Sequence, residues 1–74
     1  MAKPLSPLAA EVLWMLAKFR QPVALDRVWP DCERRWGAVG ELRHARMAEL
    51  IWVHSEKCYY HLATDLGRAY LADL

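Results

Sequence analysis

The residues with the greatest capacity for chemistry lie close together late in the chain. His54, Cys58 and His61 form an H-x3-C-x2-H run, and Cys32 supplies a second thiol further back. Histidine and cysteine are zinc ligands, so the run is tested first as a metal site. The stretch holding it alternates as paired strands do, and alternation sends Cys58 to the face opposite His54 and His61. Two histidines alone leave a cation without a closed ligand set, so no metal is expected. Both cysteines are expected instead as small buried hydrophobes. Ser55 and Cys58 stand near histidines only as a coincidence of hairpin composition. The sequence has no Gly-rich phosphate loop, no nucleophile elbow and no pair of carboxylates spaced for acid–base work. No catalytic residue, no cofactor and no enzymatic activity are expected.

What remains is the chemistry of surfaces. Ten Lys and Arg against nine Asp and Glu leave a net charge of +1, so no global basic field points to nucleic acid. That balance hides a local excess. Between Arg34 and Arg46, four arginines (Arg34, Arg35, Arg43, Arg46) face one glutamate, Glu41, a surplus of three. With Gly40, His44 and Lys57 these are the candidates for phosphate and base contacts. Ordinary solvated helix surface accounts for the same charges. Glu41 opposes phosphate, and no Asn or Gln stands there to read adenine.

The second candidate set is aromatic. Trp14 falls on the polar side of its helix, and Trp52, His54, Tyr59 and His61 share one face of a hairpin. Aromatic residues concentrate at interface hot spots, and a large exposed apolar patch on a small protein usually has a partner. Packing of Trp14 on a neighbouring loop, and cross-strand pairing that stabilises a short hairpin, account for the same residues without a partner.

The elements that must position these groups follow from spacing and caps. Ser6 is a good N-cap and Pro7 suits the first helical position. Leu5, Leu8, Ala9, Val12, Met15, Leu16 and Phe19 then gather on one face at helical spacing, with Leu13 at its edge. Pro22 ends this first helix near Arg20. After the extended Val23-Ala24-Leu25, Asp26 caps a second helix towards Trp36, with Leu25, Val28, Trp29, Cys32 and Trp36 as its apolar stripe. Pro30 distorts that helix or starts it, and Gly37 stops it. A third helix runs from about Val39 to Glu49, with Val39, Leu42, Ala45 and Leu50 on one face and Arg43 and Met47 flanking the outer one. Gly40 within it costs up to about 1 kcal/mol relative to alanine. It marks either the helix's first turn or the close approach of another chain.

The period then becomes two. Ile51 to Ser55 and Cys58 to Leu62 predict a hairpin centred on Glu56-Lys57, pairing Val53 with Tyr60 and Ile51 with Leu62. Those four are the better core set, which turns Trp52, His54, Tyr59 and His61 outward. Thr64 caps a last helix whose apolar side is Leu66, Tyr70, Leu71 and Leu74.

Helix, extended piece, helix, turn, helix, hairpin, helix is the order of the winged helix-turn-helix, and the likeness covers nearly the whole chain. Ser6-Pro7-Leu8 through Leu16 resembles the opening helix of small bacterial and phage winged-helix proteins. Val39-x-x-Leu42-x-x-Ala45 with Glu49-Leu50-Ile51 resembles the recognition helix and its exit into the wing. Tyr60-x-Leu62-Ala63-Thr64 through Gly67-Arg68-x-x-Leu71 is similar to the family's closing pattern. Two departures stand out: Glu49 holds a place where the family usually has glycine, and Ala63 sits like an inserted residue, which would suit a bulge.

The resemblance implies an α+β fold with three helices, a two-stranded wing and a C-terminal helix. It also implies, as one use of the scaffold, DNA binding through the third helix and wing. At 74 residues, 55% hydrophobic and 26% charged, the chain is expected as a single globular domain over 1–74, neither a disulfide scaffold nor a disordered tail. Its longest apolar run falls short of the roughly 20 residues of a membrane span, and it is expected to be cytoplasmic. The expected function is a small DNA-binding transcription regulator acting on double-stranded DNA as a homodimer. The rival expectation is a protein-binding winged helix, such as a phage-type inhibitor of a host machine acting through exposed aromatics.

Overall fold

A computed structural model describes residues 4–29 and 32–73, without the side chain of Cys32. The expectations for Pro30, Leu74 and the burial of Cys32 lie outside the described residues. The chain is α+β: helices α1 (Pro7–Ala17), α2 (Leu25–Val28) and α3 (Trp36–His44), an antiparallel hairpin of β1 (Ala48–Val53) and β2 (Cys58–Ala63), then α4 (Asp65–Ala72). A 3₁₀ turn, Cys32–Arg35, leads directly into α3. Among the described residues no helix is long and apolar enough to cross a membrane.

α1 starts where its caps require. The Ser6 hydroxyl accepts from the Ala9 amide at 3.2 Å, and Pro7 occupies a position whose amide would have had no helical partner. Its inner face, Ala9, Val12, Leu13 and Leu16, meets Leu25 of α2 and Val39 and Leu42 of α3 in one core. Leu13, Leu16, Leu25 and Leu42 are fully buried, each stabilising the fold by about 2 kcal/mol. Leu13 is thus at the centre of the core and not at its edge. Phe19, expected on the same face, lies beyond the helix end and is exposed.

The second helix differs most from expectation. It lasts four residues, with Ala24 rather than Asp26 at its N-cap, and stops where Trp29 becomes extended at φ −123° and ψ 117°. Trp29 precedes Pro30, whose ring disfavours helical angles in the residue before it. Trp36 consequently belongs to α3, where it is exposed, and Gly37 lies inside that helix instead of ending it. The apolar stripe from Leu25 to Trp36 is broken because its residues do not share one helix.

α3 also ends sooner than expected, at His44. Arg46 then takes a left-handed φ of 62° and Met47 turns inward, so Ala48 and Glu49 are strand and not helix. This reversal does at Arg46 what a glycine would do more cheaply, a non-glycine residue there costing about 1 kcal/mol.

The hairpin has a different register from the one expected. Ile51 faces Tyr60 and Val53 faces Cys58, because the four-residue turn His54–Lys57 closes on Lys57 in the left-handed region, at φ 50°. Ala63 pairs with Ala48 in an unbroken ladder, so no bulge follows from it. The expected core face is also inverted. Ala48, Leu50 and Trp52 lie with Ala63, His61 and Tyr59 on the face whose base is buried, while Ile51, Val53, Tyr60 and Leu62 are only half-buried. Space decides this, not apolarity: the small side chains of Ala48 and Ala63 let the hairpin base sit close to the helices. The segment before α2 touches the hairpin at a single isolated bridge, where Val23 and His61 exchange both backbone hydrogen bonds at 2.8 Å.

α4 closes the fold. The Thr64 hydroxyl accepts from the Gly67 amide at 3.1 Å and donates to the Arg46 carbonyl at 2.7 Å. Leu71 is buried as expected, but Leu66 is exposed.

Candidate functional site

The seven residues proposed for DNA contact do not have equivalent places. Arg35 is 8% exposed, donates to the Glu11 carboxylate at 3.2 Å and stacks 4.1 Å above the Trp29 ring. This arginine fastens the 3₁₀ turn to α1, and its guanidinium is committed to the interior, so it is withdrawn from the phosphate-contacting set. Arg34, Gly40, Arg43, His44, Arg46 and Lys57 are exposed. Glu41, expected to face outward against phosphate, is half-buried and accepts from the Ser6 amide at 2.8 Å. It ties the N-terminal segment to α3.

The outer face of α3 therefore carries Trp36, Gly37, Gly40, Arg43 and His44. Successive positions 36, 40 and 43 fall within about 60° of one another on the helix. A Cβ at Gly37 or Gly40 would meet no atom within 4 Å, so both glycines are open on the outside and neither is required by packing within the chain.

The aromatic candidates divide as well. Trp14 is 52% exposed on α1. Trp52 and Tyr59 face each other across the hairpin, ring centroids 4.9 Å apart and edge-on, and both are about half exposed. His54 begins the tip turn and is exposed. His61 contradicts the expectation of an outward ring: it is 1% exposed at the hairpin base, with Trp36 of α3 packed against it at 5.8 Å. The two histidines of the H-x3-C-x2-H run are thus separated, one at the tip and one at the base. Among the described residues no three His, Cys, Asp or Glu side chains gather as a metal-binding group.

His61 links α3 to the hairpin and so makes one surface of the two. Trp36 covers it, Arg43 acts on it as a positive neighbour, and Tyr59 and Trp52 continue from it along the same hairpin face. A half-exposed aromatic row, Trp36, Tyr59 and Trp52, thus starts at the first residue of α3, the end opposite Arg43 and His44. Spacing alone hid this because Trp36 had been phased with the preceding helix. The one available signal was Pro30, which makes a continuous helix through Trp29 improbable on steric grounds.

On the opposite hairpin face, Arg27 donates to Glu56 and lies over the Tyr60 ring, while the Tyr60 hydroxyl donates to the other Glu56 oxygen. Those two donors, Tyr60 first and Arg27 second, hold the Glu56 carboxyl below its usual range. Arg27 is thereby engaged within the chain.

Burial holds the His61 imidazole below its ordinary value of 6.5, the Val23 carbonyl opposes that shift, and Arg43 adds a smaller effect in the same direction as burial. The unfolded chain binds more protons just below that value than the folded chain does. Stability is therefore complete above about pH 6.5 and declines as pH falls through the lower folded-state value. Thermal melts of wild type and His61→Phe across this window are expected to differ, the wild type losing extra stability on acidification. Parallel curves would show that the ring is not held neutral by the fold.

Comparison with known protein families, with curated proteins and with solved structures finds no match for this chain.

Proposed function

We propose that the chain is a winged helix-turn-helix domain that binds double-stranded DNA, with α3 as the recognition helix and the hairpin as the wing. One observation carries this reading: the solvent face of α3 places Arg43 and His44 beside an open Gly40, where a duplex backbone or base edge meets no side-chain obstruction. Arg46 in the turn after α3 and Lys57 at the hairpin tip add cations at the two ends of β1. Few cations per chain give only moderate electrostatic affinity, so the working form is a homodimer on two half-sites, acting as a small transcription regulator.

The test is binding of a mixed-sequence duplex by wild type and by Arg43→Ala/Arg46→Gly, where glycine suits the left-handed backbone at position 46. Affinity is expected to fall about tenfold or more while the thermal melt is unchanged or slightly raised. Equal affinity in the two proteins would remove α3 from the interface.

A second reading is favoured by a separate observation, the half-exposed row of Trp36, Tyr59 and Trp52. It supports a protein-binding winged helix whose contact is made by aromatics and not by arginines. Trp52→Ala abolishing a dimer or a captured partner, with duplex binding intact, would favour it.

A further inference from the structure

A cleft of about 270 Å³ opens between α2, the 3₁₀ turn, the start of α3 and the hairpin. Its lining includes Leu25, Asp26, Glu33, Trp36, Tyr59 and His61. Three properties of this lining point to one class of ligand. Asp26 and Glu33 are exposed carboxylates, and no described ion pair engages either of them. Trp36 and Tyr59 offer half-exposed aromatic rings. His61 is 1% exposed, and among the described residues neither of its ring nitrogens has a hydrogen-bond partner of normal geometry. A buried polar ring nitrogen left without a partner is costly to the fold, and a hydrogen-bonding ligand would offset that cost.

We propose that this cleft binds a guanidinium group. The guanidinium is planar, stacks on aromatic faces and carries several N–H donors in a fixed fork. It would lie against Trp36 and Tyr59, donate to Asp26 and Glu33, and donate to the unprotonated nitrogen of His61. Burial, with Arg43 as a lesser contributor, disfavours the imidazolium and leaves that nitrogen an acceptor; Arg43 does not line the cleft. The volume is below the roughly 300–1,000 Å³ of ordinary small-molecule pockets, which suits a side-chain-sized head and not a drug-sized molecule. The two carboxylates also set the cleft apart from any phosphate-binding surface, so the proposal stands independently of DNA binding.

The ¹⁵N-labelled full chain would be titrated with N-acetyl-arginine amide, following the Trp36 indole N–H and the His61 ring signals. N-acetyl-citrulline amide, similar in shape but uncharged, is the control. Saturable shifts at both residues are expected, with Kd on the order of millimolar, and binding at least about tenfold weaker for the citrulline compound. Asp26→Asn/Glu33→Gln is expected to weaken the arginine probe about fivefold with amide dispersion preserved, as befits two exposed positions. Shifts that do not saturate, equal responses to both probes, or an unaltered affinity in the double variant would each overturn the proposal. Agmatine and a blocked Ala-Arg-Ala tripeptide then separate the sources. Tighter binding of the tripeptide supports the site and assigns it to an arginine on a protein, while tighter or equal binding of agmatine supports it and assigns it to a free guanidinium compound.

Discussion

Gly67→Ala is expected to lower stability by about 3 kcal/mol, although glycine to alanine inside a helix ordinarily adds up to about 1 kcal/mol. The reason is a backbone atom. A Cβ at position 67 would stand 2.4 Å from the Met47 carbonyl oxygen and 3.0 Å from Leu13 Cδ1. That carbonyl already accepts from the Thr64 amide at 3.0 Å, and Leu13 is fully buried, so neither obstacle moves freely. α4 must shift away from the turn after α3, combining overpacking of about 1–3 kcal/mol with the weakening of a hydrogen bond worth about 1 kcal/mol. For a domain of this size the melting temperature should fall by about 15 °C. Gly40→Ala supplies the contrast, since nothing lies within 4 Å of its Cβ position, and it should raise stability by up to about 1 kcal/mol. Equal effects at the two glycines would mean that α4 does not sit against Met47 as described.

Arg68→Met is expected to cost about 2 kcal/mol, close to 10 °C in melting temperature. The Arg68 guanidinium donates at 2.8 Å to the carbonyls of both Ala17 and Phe19. The first belongs to the last residue of α1, where helix geometry leaves acceptors without partners and favours a cation, and the second to the turn just beyond it. Methionine keeps most of the side-chain stem and loses only the charged fork. Arg68→Lys should recover part of the loss, because one ammonium does not reproduce two diverging N–H donors. Chemical denaturation of the three proteins measures both effects, and a methionine variant as stable as wild type would show that α1 does not depend on α4 for its C-terminal cap.

These two residues illustrate what a sequence does and does not disclose. Gly67 and Arg68 were visible as part of a closing pattern, but their reasons lie in Met47, Ala17 and Phe19, brought near by the fold. Local signals were legible: the Ser6–Pro7 start of α1, the Thr64 cap of α4 and the change of period that makes a hairpin. Each depends on neighbours within a few residues. The hairpin's core face was not legible, because apolarity ranked Ile51, Val53, Tyr60 and Leu62 first, whereas the available space selected Ala48 and Ala63. The register missed because Lys57, not a glycine, adopts the left-handed turn conformation.

The candidate site was partly legible for the same reason. Arg43, His44 and Gly40 follow from helical phase within α3 alone and emerged on its outer face. Arg35 and His61 are defined by partners distant in sequence: Glu11 and Trp29 for the first, Val23 and Trp36 for the second. Spacing gave the arginine an external role and the histidine an exposed one, and tertiary contact took both inside.

The proposal that α3 and the hairpin bind duplex DNA is tested most directly by the salt dependence of that binding. Affinity for one mixed-sequence duplex would be measured over a series of salt concentrations with the full chain. Arg43, Arg46 and Lys57 correspond to about three neutralised phosphates per chain, so log K should fall against log salt with a slope of about −3 per chain. No binding at low salt, or an affinity that salt leaves unchanged, would contradict the account.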